Sequence, residues 1–149
     1  MTILLVEDDY LQSDLIISQI TLALDDVEFI LLETEFQLRS YIPKLENNPS
    51  DIILLDIMLR WTDPAPDMPS TPDDVLEEGF YTAGLRCQKI ISDNIKLKNI
   101  PIVLYSVLDK FDLEGKLKDS PKNVTHVSKD KDIPFLIDHI KRVLQIRDN

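Results

Sequence analysis

Acidic side chains follow two apolar segments of the sequence at the point where each segment ends. Glu7 and Asp8 come directly after "ILLV", and Asp56 comes directly after "IILL". If both segments are strands of one parallel sheet, their carboxyl ends lie at the same edge and the three carboxylates converge there. Converging carboxylates repel each other and raise their pKa values unless a cation neutralises them. Oxygen ligands in this number suit Mg²⁺, so the pattern predicts a magnesium site.

Two more polar residues follow apolar segments and have the chemistry to bind a phosphoryl group. Ser106 comes after "IPIVLY" and offers a hydroxyl hydrogen bond, whereas Lys129 comes after "VTHVS" and offers a positive charge. Asp9, which follows the acidic pair, is instead predicted to cap the first helix. The set as a whole therefore indicates phosphoryl chemistry at a cation site.

Each of these residues also has a structural explanation when it is taken alone. Acids after a strand are commonly solvated loop residues, Asp56 has the right type to cap a helix, and an isolated lysine is usually a surface residue. Asp56, however, follows a wholly apolar segment, where a carboxylate is costly unless it is used or solvated. The functional prediction therefore depends on the order of these residues along the chain.

The predicted site requires a sheet, and the hydrophobic pattern indicates one. Five short apolar runs are typical of strands that are buried on both faces. Segments with helical spacing lie between them. This alternation predicts an α/β fold, a parallel sheet with right-handed crossovers and helices on both faces. The predicted strands are residues 3–6, 27–32, 52–55, 100–105 and 124–127.

Four segments have apolar residues at helical spacing. In the last of them, Asp132 is the predicted N-cap and Pro134 lies in the first turn. Gly84 lowers the helix propensity of the third by on the order of 1 kcal/mol. Residues 107–123 have little periodicity and contain Gly115, so only a short helix is predicted there. The apolar positions are Leu11, Leu15, Ile16, Ile20 and Ala23; Leu38, Tyr41, Ile42 and Leu45; Leu85, Ile90 and Ile91; and Ile133, Leu136, Ile137, Ile140 and Leu144.

The composition favours one globular domain that contacts proteins or small cations. The 149 residues are 44% hydrophobic, which is enough to build one substantial core. A net charge of −11 repels phosphate backbones, so no nucleic-acid partner is expected. Cys87 is the only cysteine and lies in the apolar stretch "LRCQKII", so a reducing cytoplasm fits best. The sequence has no bilayer-length apolar run, and no membrane association is expected.

The order of these residues resembles the receiver domain of two-component response regulators, over residues 3–146. The resemblance implies a five-stranded parallel sheet with the flavodoxin-like strand order 2-1-3-4-5. It also implies roles for single positions: an acidic pair, a phosphoacceptor, a main-chain metal ligand, a hydroxyl switch residue and an invariant lysine. These positions are Glu7 and Asp8, Asp56, Met58, Ser106 and Lys129, respectively.

The resemblance also implies a mechanism. Asp56 would accept a phosphoryl group from a sensor histidine kinase or a histidine phosphotransfer protein, with Mg²⁺ as cofactor, and the domain would later help to hydrolyse it. Ser106 and Lys129 would move toward the phosphoryl oxygens and shift a two-state surface. His126 stands where the family usually has an aromatic switch residue, and a structural histidine is the alternative. His139 is expected on the exposed side of the last helix.

The segment of residues 60–78 departs from the family pattern as a Pro-rich, acidic loop insertion. Its prolines are predicted to prevent regular structure, and its acids keep it solvated. It would serve as a lid, a partner-docking arm or a filter against anionic donors, and the alternative is a tolerated surface insertion. Trp61 favours docking, because aromatic residues on loops often anchor interfaces. Asp130 replaces the proline that usually follows the family lysine. The prolines are Pro64, Pro66, Pro69 and Pro72, and the acids are Asp63, Asp67, Asp73, Asp74, Glu77 and Glu78.

Residues 1–149 are predicted to form a single receiver domain without an output domain, so that a downstream target protein receives the signal. The family usually docks through its fourth helix, fifth strand and fifth helix, and a homodimer is another assembly that the resemblance allows.

Two alternatives to this function stay open. One is a receiver-like interaction module that works without phosphorylation. The other is a Mg²⁺-dependent phosphatase with an Asp nucleophile, although that chemistry generally requires a second acid where this chain has Met58.

Overall fold

The computed structural model describes residues 1–109, 111–113 and 115–145. Five parallel strands form one sheet in the order β2-β1-β3-β4-β5, which confirms the predicted fold. The predicted domain continues to residue 149, but residues 146–149 lie outside the described part of the chain. The strands are β1 (Thr2–Val6), β2 (Glu28–Leu32), β3 (Ile52–Leu55), β4 (Ile102–Ser106) and β5 (Val124–Ser128).

Burial along the strands follows their place in the sheet. The three central strands, β1, β3 and β4, are buried along nearly their whole length. The edge strands β2 and β5 are mostly half-buried, so the prediction that all five are buried on both faces is wrong for these two. Each edge strand pairs on one side only, which leaves its other side closer to solvent.

Helices cover both faces of the sheet, as predicted. On one face α2 and α4 pack on the core through residues such as Leu38 and Cys87, and on the other α1 and α5 pack through residues such as Ile20 and Leu136. The helices are α1 (Tyr10–Ala23), α2 (Glu35–Asn47), α3 (Asp73–Glu78), α4 (Ala83–Ser92) and α5 (Ile133–Leu144), and a 3₁₀ turn (Phe80–Thr82) precedes α4. No helix within the described residues is long and apolar enough to cross a bilayer.

The predicted N-caps are present at the first and the last helix, α1 and α5. Asp9 accepts hydrogen bonds from Leu11 N and Gln12 N at the start of α1, at 2.9 and 3.2 Å. Asp132 accepts one from Phe135 N at the start of α5, at 2.9 Å, and Pro134 lies in the first turn. These bonds satisfy amide groups that have no partner inside a helix.

The apolar stripe predicted for α1 is partly wrong. Leu11 is 77% exposed and Leu15 is 45% exposed, whereas Ile16 and Ile20 are buried as expected. Ser13 takes a place on the buried face, where its hydroxyl donates to Tyr10 O at 3.1 Å. Because a serine can bury its hydroxyl against the helix backbone, the buried face of α1 is rotated away from the leucines.

Residues 60–78 are more ordered than their prolines predict. Residues 60–72 have no helix or strand, as expected, but α3 follows directly and Pro72 serves as its N-cap residue. A proline is tolerated at a helix start because the first amide groups have no intrahelical partner. The prediction that the whole segment lacks regular structure is therefore wrong for its last six residues.

The segment between β4 and β5 lacks the predicted short helix in residues 107–109, 111–113 and 115–123, the part that the structure describes. Asp109 and Asp112 bond reciprocally, with Asp109 N donating to Asp112 at 3.1 Å and Asp112 N donating to Asp109 at 2.9 Å. Side chains that bond to nearby main-chain amides in this way compete with helix formation. Gly115 adds a positive φ of 82°, which favours a turn.

Candidate functional site

The acidic residues predicted from the sequence meet at the carboxyl edge of the sheet. Glu7, Asp8 and Asp56 each offer a carboxylate oxygen, and these oxygens lie within 4.8 Å of one another. The sheet ladder places them, because Glu7 N donates to Leu32 O at 2.9 Å and Asp56 N donates to Val6 O at 3.0 Å. Parallel pairing thus continues one residue past each strand and aligns the acids side by side.

Lys129 joins two of these acids. Its Nζ lies 2.9 Å from Glu7 Oε1 and 3.2 Å from Asp56 Oδ2, and its main-chain N donates to Ser106 O at 2.8 Å. Both carboxylates are buried, with Glu7 2% exposed and Asp56 7% exposed. An ammonium group held this close to buried carboxylates makes charge-assisted hydrogen bonds.

The electrostatics of the site show that one lysine does not balance three acids. Burial, the hydrogen bond to Asp56 and the charge of Asp56 together raise the pKa of Glu7 to about 8, although Lys129 acts to lower it. Burial also raises the pKa of Asp8. Burial alone would lower the pKa of Lys129, but the attraction of Asp56 and Glu7 outweighs this and raises it. The shifts are those of a cluster with excess negative charge.

The donor set of this cluster fits a hard divalent cation. Carboxylate oxygens are the ligands that Mg²⁺ prefers, and a cation there would compensate the charge that Lys129 leaves unbalanced. Met58, the predicted main-chain ligand, lines the same pocket. The pocket has a volume of about 300 Å³ and is lined by Glu7, Asp8, Asp9, Gln12, Asp56, Met58, Phe80, Val107 and Lys129.

A main-chain hydrogen bond fixes the orientation of the Asp56 carboxylate. Ile57 N donates to Asp56 Oδ1 at 2.7 Å, while Oδ2 faces Lys129. The two oxygens are therefore held in different environments, and rotation of the carboxylate would break both contacts. The carboxylate is thus held in one orientation at the pocket.

Ser106 and His126, the predicted switch residues, do not line the pocket. Ser106 is fully buried, and its hydroxyl accepts a hydrogen bond from Leu108 N at 3.4 Å. His126 is half-buried, and its Nε2 lies 2.9 Å from Leu108 O, so this nitrogen donates. The two side chains thus hold the two main-chain polar groups of Leu108, at the start of the segment that connects β4 to β5.

The prediction that His139 lies on the exposed side of the last helix is wrong. His139 is half-buried, and its Nε2 lies 2.8 Å from the hydroxyl of Thr125 on β5. Burial lowers the pKa of His139, and the nearby charge of Arg142 lowers it further. Its role is therefore to join α5 to the edge strand.

Gly84 has a role at this site that the sequence did not reveal. A Cβ at this position would overlap the main-chain oxygen of Asp56 and come within 2.5 Å of Ile57 Cα. The close approach allows Gly84 N to donate to Ile57 O at 2.7 Å. The glycine that weakens α4 as a helix thus lets this helix begin directly against the end of β3.

A buried ion-pair cluster around Glu35 was also not predicted from the sequence. The guanidinium of Arg86 donates to both carboxylate oxygens of Glu35, at 2.7 and 3.1 Å, and Arg39 donates to the same carboxylate at 2.7 Å. Arg39 reaches Asp74 and Arg86 reaches Glu78, which attaches α3 to α2 and α4. The available signal was Arg86 itself, a charged residue beside Cys87 on the apolar side of a helix.

Trp61 packs within the molecule. Its ring lies edge-on to Phe36, with 5.4 Å between ring centroids, and the guanidinium of Arg39 lies 5.6 Å from the ring centroid. The main-chain carbonyls of Arg60 and Trp61 accept from the first two amides of α2, and Arg60 N donates to Asp8 at 3.4 Å. Trp61 therefore anchors residues 60–78 to α2, which removes the observation that favoured a docking role.

Solved structures that are similar to this chain include receiver domains and response regulators. The phosphorylated cyanobacterial phytochrome response regulator RcpA is 17% identical, with a TM-score of 0.67 over 99% of this chain and 96% of its own. The Mn²⁺-bound form of response regulator Rcp1 is 21% identical, with a TM-score of 0.63 over 97% of this chain and 92% of its own.

A third similar structure is the receiver domain of a sensor histidine kinase from Pseudomonas aeruginosa PAO1, with a magnesium ion coordinated in the active site cleft. It is 18% identical, with a TM-score of 0.65 over 97% of both chains. No family model and no curated protein matches the sequence. At these identities the similarity establishes the receiver fold, and function has to be inferred from the site.

Proposed function

We propose that this protein is a phosphoacceptor receiver of a two-component or phosphorelay system. Asp56 accepts a phosphoryl group from a histidine kinase or a histidine phosphotransfer protein, and the signal passes on through protein contacts. The observation that carries the proposal is the contact of Lys129 Nζ with both Glu7 and Asp56, beside Asp8, in one pocket. The acids suit a cation, the lysine suits a phosphoryl oxygen, and Asp56 is oriented between them.

The reaction follows from these positions. An oxygen of the Asp56 carboxylate attacks phosphorus, the bond from phosphorus to the donor imidazole nitrogen breaks, and the imidazole leaves with the electron pair. Glu7, Asp8, Asp56 and the main-chain carbonyl of Met58 would hold Mg²⁺, which would supply charge neutralisation for the phosphoryl oxygens. Lys129 exchanges its contact with the carboxylate for one with the new phosphoryl group. Hydrolysis of the acyl phosphate by water returns the carboxylate.

Ser106 and His126 suit the transmission of this event because both hold Leu108. When the Ser106 hydroxyl turns toward a phosphoryl oxygen, it releases Leu108 N, while the bond from His126 to Leu108 O remains. The segment of residues 107–123 is the element that this change biases, and it forms turns in its described residues. A local charge event thus changes a surface at the edge of the sheet.

The partners in this proposal are proteins. Tyr10 and Leu11 begin α1 and are strongly exposed, directly after Asp9 at the pocket rim, so a donor protein that reaches Asp56 finds apolar surface there. The charge of −11 disfavours nucleic acid. A cytoplasmic location and a downstream target protein are part of the proposal, and a homodimer is compatible with it.

The alternatives have weaker support. A phosphatase with an Asp nucleophile requires an acid two residues after it, and Met58 occupies that place in the pocket. An interaction module that works without phosphorylation does not need a pocket that gives access to Asp56. Asp56 is largely buried, yet it lines a pocket of about 300 Å³ together with the acids and Lys129, which favours a working site.

Intact-mass measurement with a small phosphodonor tests the proposal. We expect one phosphoryl group on the wild type in the presence of Mg²⁺, none after chelation, and none on Asp56→Asn. Asp9→Asn is the matched control, because Asp9 lies beside the site and its carboxylate caps α1. Repeated hydrolysis of a generic phosphate ester would favour the phosphatase, and an absence of adduct in all samples would favour the module.

A further inference from the structure

Phe80 forms part of the wall of the phosphoacceptor pocket. It comes from the 3₁₀ turn after residues 60–78, and the residue is 52% exposed. Together with Met58 and Val107 it contributes the apolar part of a lining that otherwise consists of the acids, Gln12 and Lys129. An exposed aromatic residue thus lines the same pocket as Asp56, which is only 7% exposed.

The main chain holds Phe80 at the mouth. Residues 60–79 form an excursion, a segment that leaves the edge of the sheet after β3 and returns to it. Leu59 N donates to Phe80 O at 3.2 Å, which brings the two ends of this excursion together. Gly79, just before the ring, has a positive φ of 76° that favours glycine. The placement of Phe80 is thus set by the closure of this excursion.

Arg86 fixes the same turn from the inside. Its Nη1 donates to Gly79 O at 2.8 Å and to the Thr82 hydroxyl at 3.1 Å, on the two sides of Phe80. The other side of the guanidinium is held by both oxygens of Glu35, whose side chain is fully buried. A buried bidentate pair of this kind has one geometry, so the turn that carries Phe80 is held rigidly.

We propose that Phe80 is a gate that restricts access of water and of bulky phosphodonors to Asp56, with Arg86, held by Glu35, as its positioning residue. The proposal deepens the proposed function and rests on it for its biological meaning. Excluding water from the pocket lengthens the life of the acyl phosphate, and a narrow mouth selects among donors. Access itself can be measured without any phosphorylation.

Alkylation of a thiol at the phosphoacceptor position measures this access. Asp56→Cys places a thiol at the base of the pocket, and Cys87 is fully buried, so it contributes little background. We expect Phe80→Ala to raise the rate with a bulky maleimide by roughly tenfold if the ring moves aside in about a tenth of molecules. The rate with small iodoacetamide should rise much less, and the ratio of the two rates cancels any change in thiol ionisation.

Leu76→Ala in the Asp56→Cys background is the control. Leu76 is 68% exposed on α3 of the same excursion and does not line the pocket. We expect its two rates to match those of Asp56→Cys alone. Equal rates in the Phe80→Ala and Leu76→Ala variants would overturn the gate.

Arg86→Lys tests the positioning role, because lysine cannot reproduce the bidentate pair with Glu35. We expect it to raise the maleimide rate selectively when Phe80 is present and to have no further effect once Phe80 is alanine. An equal rise for both reagents in both backgrounds would make Arg86 merely structural. If Arg86→Lys does not fold, Thr82→Val provides the test, since it removes one of the groups that Arg86 bonds beside Phe80.

Failure of the gate and failure of the proposed function have different signatures. Suppose that Phe80→Ala raises the maleimide rate selectively while the wild type forms no phosphoryl adduct. This result would contradict the proposed phosphoacceptor function and support the role of Phe80 in restricting access. An adduct on the wild type whose lifetime is the same in Phe80→Ala and Leu76→Ala would support the receiver and contradict the gate. Because water is a small molecule, we expect the lifetime to shorten by roughly the smaller factor seen for iodoacetamide.

Discussion

Lys129 contacts two of the three clustered carboxylates, and this sets the chemistry of individual residues at the site. Its charge offsets one acid, so protons or a cation must offset the remainder. The raised pKa of Glu7, at about 8, means that a proton does so at neutral pH when no metal is bound. A metal that binds here must therefore displace this proton.

Magnesium affinity is accordingly expected to depend on pH. Because the folded pKa of Glu7 is about 8, its carboxylate binds a proton below that pH, and Mg²⁺ must compete with it. The apparent affinity should rise with pH toward 8, by up to about tenfold per pH unit for one displaced proton, and level off above. Titration calorimetry in buffers of different ionisation enthalpy measures both quantities. A constant affinity from pH 6 to 8.5 would contradict the assignment of Glu7.

Ser106→Ala is expected to separate phosphorylation from its consequence. The hydroxyl does not line the pocket and bonds Leu108 N, so Asp56 should still accept the phosphoryl group. The change at Leu108 should be lost, because no hydroxyl remains to turn. Hydrogen exchange of residues 107–109 before and after phosphorylation checks this, with Ser106→Thr as the hydroxyl-retaining control. Equal changes in the alanine variant and the wild type would exclude Ser106 as the switch.

The sequence predicts which residues meet at the site but not how each side chain is oriented. Glu7, Asp8, Asp56 and Lys129 converge because the carboxyl ends of parallel strands share an edge, a consequence of topology alone. The Ser106 hydroxyl points to Leu108 N instead, since its direction depends on contacts made by a loop without a repeating pattern. Such contacts have no signature in residue type or spacing.

At the scale of the elements, the buried Glu35–Arg86 pair joins α2, α3 and α4 around the site. Removal of Arg86 takes the bidentate partner from the buried Glu35 carboxylate and leaves it paired with Arg39, which is more exposed. We expect Arg86→Met to lower the free energy of unfolding by about 3 to 5 kcal/mol, measured by urea denaturation. Arg60→Met, which breaks the exposed pair with Asp63, should cost less than about 1 kcal/mol. An equal decrease in the free energy of unfolding in the two variants would show that the buried pair stabilises the fold no more than the exposed pair does.

Gly84→Ala reverses the usual effect of alanine in a helix. Alanine normally stabilises a helix interior by about 1 kcal/mol over glycine. Here its Cβ would overlap the main chain of Asp56, so α4 must shift, and we expect a loss of about 1 to 3 kcal/mol. Thermal or urea unfolding gives the sign, with Lys89→Ala on the exposed side of α4 as the neutral control. Stabilisation by Gly84→Ala would mean that the close contact with β3 is absent in solution.

Elements with a strong repeating pattern were predictable, and those that depend on tertiary contacts were not. The five strands and α2, α4 and α5 follow from apolar runs and helical spacing. Leu11 and Leu15 misled the prediction for α1, because a stripe of leucines does not reveal that Ser13 packs inside. Helix α3 was missed because it is only six residues long, and its ion pairs to Arg39 and Arg86 involve residues that lie far away in sequence.

At the scale of the whole molecule, the sheet separates structural and chemical tasks. Two apolar clusters, one on each face, bury the strands, and the acids collect where the strands end. Residues 60–79 leave and return at this same edge, so the segment that they form brings Phe80 to the pocket. The alternation of strands and helices predicted this arrangement from the sequence, whereas the closure of the excursion depends on pairs such as Leu59 with Phe80.

The most direct test of Asp56 as the phosphoacceptor is to locate a phosphoryl group on the protein chemically. After incubation with Mg²⁺ and a small phosphodonor, borohydride reduces an aspartyl phosphate to homoserine, and peptide mass mapping finds the converted residue. We predict conversion at Asp56 alone, dependent on Mg²⁺ and abolished in Asp56→Asn. Conversion at another carboxylate, or none at Asp56 in a folded sample that binds Mg²⁺, would contradict the account.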